Sequence, residues 1–216
     1  MILEAAVEST EAAVAAEQGG ADRLELCAEL SIGGTTPSSE LLTTVAARVG
    51  VPVFVMVRPR GGSFVYSEAE LDDMRRAIDV LVPAGAAGIV FGILETGGRI
   101  DEARTRELIA RARPLPVTFH RAFDAACDSA AALETLIACG VDRVLTGGGP
   151  GAAAEGVDAL RGLVDRAADR ITIMAGGKVR WQNAREIVTR TGVRELHARC
   201  ELDPDQIRAI RRALSS

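Results

Sequence analysis

Short apolar runs alternate with longer amphipathic ones along the whole chain. Eight runs have the length and the β-branched or aromatic content of strands: residues 2–6, 23–27, 53–58, 88–92, 116–120, 143–146, 171–174 and 195–197. They recur at roughly 20–35 residues, the spacing of strand–helix units. Helix signals fill the gaps. Ser9 or Thr10 caps a run that ends at Gly19-Gly20, and Ser67 with Glu70 forms a capping box before a long helix that stops near Pro83. Asp203-Pro204 supplies an N-cap and a first-turn proline for the last helix. Gly50, Gly140 and Gly192 stand where helices should stop.

Strict strand–helix alternation predicts a parallel sheet. Eight units in 216 residues favour closure into a single (β/α)8 TIM-type barrel, lean beside the roughly 250 residues typical of that fold. No Pro- or Ser-rich linker interrupts the pattern, so residues 1–216 are expected to form one domain. An open sheet would need a nucleotide fingerprint. Gly147, Gly149 and Ala152 fit G-x-G-x-x-A, but they follow the sixth strand and lack the acidic residue that completes the motif.

Side chains alternate across a strand. In the second strand Leu24 and Leu26 should meet the outer helices, which leaves Glu25 and Cys27 pointing inward. In the fifth, Val117 and Phe119 face the helices and Thr118 and His120 the interior. The same reading sends Glu4, Arg58, Thr146, Met174 and His197 inward, with Glu195 lower in the barrel. A structural barrel interior is dominated by branched apolar residues, and barrel enzymes carry their chemistry at the carboxyl ends of the strands. Polar groups buried at that end must pair, bind water or hold a ligand. Glu4, Glu25 and His120 are the acid/base candidates, and His120 and His197 are the only histidines.

The loop after the third strand adds Arg58 and Arg60, and Arg121 follows His120. Gly147 and Gly148 follow the sixth strand, and Gly176 and Gly177 the seventh. Fixed cations beside glycine backbone suit a carboxylate or phosphate, so Arg58, Arg60, Arg121, Asp124, Thr146, the four glycines and His197 form the candidate ligand-binding set. The alternative is an ion-pair network of the three arginines with Glu4, Glu25 and Asp124.

Composition narrows the picture. Aromatics are only 3%, so the core must be built mainly of Ala, Val, Leu and Ile. Net charge is −5 with signs interspersed, and no basic stripe with aromatics appears, which argues against a nucleic-acid partner. No apolar stretch is long enough for a membrane span and no signal peptide is expected. Cys27, Cys127, Cys139 and Cys200 are widely spaced, as in reduced cytoplasmic proteins. Cys139 should be structural, Cys127 and Cys200 partly exposed, and Trp181 part of the core. No predicted strand carries a lysine, so a Schiff-base mechanism on the barrel is not expected.

Several strings together resemble the CutC family, named for copper homeostasis: VES from Val7, GGADRLELC from Gly19, GGTTPS from Gly33, RPRGGSFVYS from Arg58, VTFHRAFD from Val117, LTGGG from Leu145, MAGGKV from Met174 and the late Glu195-Leu196-His197. The resemblance runs in order along nearly the whole chain. It implies a TIM-like barrel, a cytoplasmic location, an association with copper and a homodimer or higher homo-oligomer. It also implies Cys27 as the residue to ligate Cu(I). The sequence departs from the family pattern at Gly147, Lys178 and Arg199, and in a short loop after the eighth strand. Two functions follow: a copper-homeostasis protein that binds copper, or a barrel enzyme acting on a small anionic metabolite at the mouth.

Overall fold

The structure, a computed structural model, describes residues 1–200 and 204–215. Eight strands pair in parallel and in chain order: β1 (Ile2–Val7), β2 (Arg23–Leu26), β3 (Val53–Met56), β4 (Gly88–Phe91), β5 (Val117–Phe119), β6 (Arg143–Thr146), β7 (Thr172–Gly176) and β8 (Glu195–Arg199). β8 returns to β1, with Glu4 level with His197, and closes the barrel. Outside it run α1 (Thr10–Gln18), α2 (Ser39–Ala46), α3 (Glu68–Leu81), α4 (Glu102–Ala112), α5 (Ser129–Cys139), α6 (Val157–Ala167), α7 (Trp181–Thr191) and α8 (Pro204–Ser215).

The caps follow the sequence signals. Ser9 accepts from the Ala12 N–H, Ser67 and Glu70 complete their capping box, and Gly140 and Gly192 end α5 and α7 in the left-handed conformation. Gly50 does not end a helix, because α2 already stops at its cap Ala47. The loop after β8 and the Asp203 cap fall at residues 201–203, outside the described residues.

Strand parity divides the apolar side chains into two bodies. Leu24, Leu26, Val55, Ile89, Phe91, Val117, Phe119, Val144, Ile173 and Leu196 all pack outward into the layer between barrel and helices. A separate small cluster of Cys27, Phe54, Met56 and Val90 sits inside the barrel. The first body supplies most of the buried apolar area and hence most of the drive to fold. The second is too small to fill the interior, and charged groups take the remaining space.

Three expectations are corrected. On β6 the inward residues are Arg143 and Leu145, while Thr146 turns outward to a polar partner, Asp124. Trp181, at the start of α7, is 55% exposed because its helix turns Ala184 and Ile187 to the core instead. Cys200 is buried rather than partly exposed. No helix among the described residues is long and apolar enough to cross a membrane.

Candidate functional site at the barrel mouth

A cavity of 260 Å³ opens at the carboxyl ends of the strands, lined by Glu25, Arg58, His120, Arg121 and His197 together with Met56, Phe64, Leu145 and the Ile32-Gly33 turn. That volume lies just below the roughly 300 Å³ at which pockets for drug-sized ligands begin, so it suits a small metabolite. Three of the residues that line it each hold a buried polar atom with no hydrogen-bond partner among the described residues: Glu25 Oε1, Arg58 Nε and His120 Nε2. Leaving such groups unpaired costs roughly 1–3 kcal/mol each, more where they are charged.

Each wall residue is held from behind. His120 sits at the end of β5, where its Nδ1 accepts the Ala122 N–H at 3.1 Å. The acceptor role fixes the tautomer, so the proton is on Nε2, the unpartnered atom. Phe64 and Phe119 flank the ring at 5.1 and 6.2 Å between centroids. Burial, helped by the nearby Arg58 charge, drops the His120 pKa to about 3, so the imidazole is neutral. Gly92 makes room for it: a Cβ there would lie 2.5 Å from Nδ1.

Arg58 is 5% exposed and spends its terminal nitrogens on three backbone carbonyls, those of Ile32, Gly34 and Gly62. Its guanidinium lies 5.0 Å over the Phe64 ring. Among the described residues it has no carboxylate partner, so its charge enters the mouth uncompensated.

Glu25 and His197 belong to a chain of charges that descends into the barrel. Glu25 Oε2 lies 3.6 Å from His197 Nε2, and His197 Nδ1 lies 2.9 Å from Glu4 Oε1. Glu4 pairs with Arg23, Arg23 with Glu195, and Glu195 with Arg143 at 2.6 Å. Both arginines face the Phe54 ring, at 4.9 and 5.4 Å. Burial alone would push His197 down, but Glu25 and Glu4 reverse this and raise its pKa. Burial opposes ionisation of Glu4, yet His197 and Arg23 hold its carboxyl down at about 2. Glu25 goes the other way: burial raises its pKa and Glu4 adds to the rise, against the pull of His197. The structure therefore sets a neutral imidazole N–H on β5 against a carboxyl with a raised pKa on β2.

Other expected site residues turn elsewhere. Glu4 is fully buried below the cavity. Arg60 leaves the mouth for Glu70 at 2.5 Å and for the carbonyls of Gly61, Ser63 and Val65, because the capping box of α3 holds that carboxylate beside it. Asp124 accepts from Thr146 Oγ1, the Gly147 N–H and Arg121 Nε, and Gly148 donates to Thr146. Thr146, Gly147 and Arg121 Nε, donors expected to hold a ligand anion there, are thus occupied by an internal carboxylate, and Gly148 by the Thr146 hydroxyl. Gly176 pairs with His197 and has Leu145 where a Cβ would point, at 2.5 Å. Gly177 gives Arg121 space, with Nη1 3.1 Å from a Cβ position. The glycines serve close packing. Arg23 and Arg143 were the residues overlooked; an arginine opening a strand of inward parity was the available signal.

Glu4, Glu25 and His197 offer donor atoms within 4.8 Å of one another, close enough to surround a metal ion. Their partners oppose it, since Arg23 donates to Glu4 and the raised pKa of His197 favours imidazolium. Cu(I) requires soft ligands, with thiolate foremost. Cys27 is fully buried and its thiol donates to Glu25 at 3.6 Å. Burial and the Glu25 charge push its pKa well up, and Gly34 covers the sulfur so closely that a Cβ there would lie 3.0 Å from Sγ. Met174 Sδ accepts from Arg23 at 3.3 Å. These residues do not fit a Cu(I) centre.

Comparison with known proteins adds four findings. A family model described as CutC family matches residues 1–201. The human copper homeostasis protein cutC homolog is 48% identical over 196 residues, covering 91% of this chain and 72% of its own length. The CutC protein of Streptococcus agalactiae, known from its crystal structure, superposes with a TM-score of 0.86 at 33% identity, covering 91% of this chain and 97% of that one. Thiamine phosphate pyrophosphorylase from Pyrococcus furiosus shares the fold at 16% identity, with a TM-score of 0.69.

Proposed function

The chain belongs to the CutC family, and from that premise we propose a role in copper homeostasis exercised through a small anionic ligand bound at the barrel mouth. The copper part rests on the names of the relatives. The ligand part rests on one observation: Glu25 Oε1, Arg58 Nε and His120 Nε2 are buried and unpartnered, and all three residues line a single cavity. A ligand carrying an anionic group would complete Arg58, and an acceptor on the same molecule would complete His120. The protein then acts on, or senses, a metabolite linked to copper rather than holding the ion at Cys27. A cytoplasmic site of action is part of the proposal and is supported by the absence of any disulfide joining the four cysteines.

A thermal-shift screen of small carboxylates and phosphates tests the ligand. One present at 100 times its Kd should stabilise the protein by about 2.7 kcal/mol. Arg58→Gln should abolish the shift and Arg60→Gln should retain it. A ligand whose shift survives Arg58→Gln but not Arg60→Gln would refute the assignment.

A further inference from the structure

Resting on that ligand site, we propose that the mouth is built for proton transfer at a carbon next to a carbonyl, with Glu25 as base, His120 Nε2–H as donor to the carbonyl oxygen, and Arg58 as the anchor of an anionic substituent. The substrate class is a short oxo acid or a phosphorylated oxo compound.

The placement carries the inference. β2 and β5 are separated around the barrel by β3 and β4, so Glu25 and His120 meet the cavity from different sides. Glu25 Oε1 is a bare carboxylate oxygen, with Oε2 engaged by His197 and Cys27. His120 Nε2 carries a hydrogen that has no acceptor, fixed in direction by the Nδ1 bond and the two flanking rings. A base and a preorganised donor across a space of 260 Å³ are the two groups an enolisation needs. The charge chain behind Glu25 ends in Arg23 and Arg143, which hold Glu4 and Glu195 and leave Glu25 with the imidazole as its one close ionic partner among the described residues.

The step balances without an added reagent. The C–H bond next to the carbonyl breaks and its proton moves to Glu25 Oε1. The electron pair forms the C=C bond, and the carbonyl π electrons move onto oxygen, which His120 Nε2–H stabilises. Return to the same carbon, after the Glu25 proton has exchanged with solvent, gives hydrogen exchange; in a hydroxy-carbonyl, return to the former carbonyl carbon gives isomerisation once the hydroxyl proton has passed to the enolate oxygen, so that the new C=O forms as the C=C bond breaks. The directions of the two pKa shifts agree with these roles: a neutral imidazole donates to an oxyanion without becoming one itself, and a carboxyl raised by burial is a stronger base than an exposed one. Among the described residues no lysine lines the cavity, so the reaction proceeds at the carbonyl itself and not through an imine.

The test uses pyruvate, 2-oxobutyrate and dihydroxyacetone phosphate in deuterium oxide, following binding by thermal shift and loss of the proton signal next to the carbonyl by NMR. A probe that binds wild-type protein should exchange at least 100-fold faster than in buffer. Glu25→Gln should keep the thermal shift and lose the exchange, Glu25→Asp should retain part of it, and His120→Asn should slow it by about 10²–10³-fold. A probe that binds but exchanges no faster than in buffer overturns the inference and leaves the ligand site standing. Exchange that survives Glu25→Gln overturns it as well. Failure of all three probes to bind overturns the ligand reading for these anions, and the inference falls with it.

Discussion

Acidification should destabilise this protein through His120 in particular. The perturbation is a drop from about pH 7.5 to about pH 4.5. In the unfolded chain the imidazole titrates near 6.5, whereas burial and Arg58 hold the folded pKa at about 3. The folded value is depressed, so the contribution is present above 6.5 and drains away as the pH falls toward 3. At pH 4.5 the unfolded state has taken up a proton that the folded state still refuses. Two pH units below the unfolded pKa correspond to a loss on the order of 3 kcal/mol. Glu25 and His197 have raised pKa values and act oppositely, becoming stabilising as the pH falls. The measurement is therefore a difference. Urea denaturation of wild type and His120→Asn at both pH values should show wild type losing on the order of 3 kcal/mol more than the variant. Asn keeps an acceptor for the Ala122 N–H while removing the titration. Equal losses would refute a neutral, buried His120.

The chain of charges inside the barrel should be costly to break: Arg23→Met leaves Glu4 with His197 alone and Glu195 with Arg143 alone, and should destabilise by about 1.5–3 kcal/mol in chemical denaturation. Gly88→Ala would put a Cβ 2.5 Å from the Phe54 ring, which two guanidinium groups hold in place, and should cost about 1–3 kcal/mol by the same assay. Cys27→Ser should leave Cu(I) affinity unchanged in a chelator competition, and a large loss would restore copper ligation at that thiol. Ser67→Ala should cost about 1 kcal/mol by removing the cap of α3, read as a lower Tm.

The barrel was legible because its strands have strong parity. In Arg23-Leu24-Glu25-Leu26 the leucines can face only the helices, and the acid must then face inward. Arg143-Val144-Leu145-Thr146 offers two apolar residues of opposite parity, and there the polar end residue misled, since Thr146 finds Asp124 outside the barrel. Charge at a loop does not tell which way it points. Arg58 and Arg60 are two residues apart, yet one turns to the cavity and the other to Glu70, a contact set by where α3 begins. The glycines after β6 and β7 read as an anion cradle because sequence spacing cannot reveal that Asp124 already fills the first. Trp181 was misjudged because large aromatics favour burial on average, while the face a helix presents depends on its neighbours.

The two histidines give the most direct test, because nitrogen-15 spectra of the labelled protein contain only two imidazoles to assign. One should remain a neutral Nε2–H tautomer through about pH 5, the other should stay protonated above the normal range, and both should shift together when an anion that raises the Tm is added. Two rings that titrate near 6.5, or a stabilising anion that moves neither, would contradict a ligand site shared by Glu25, Arg58, His120 and His197.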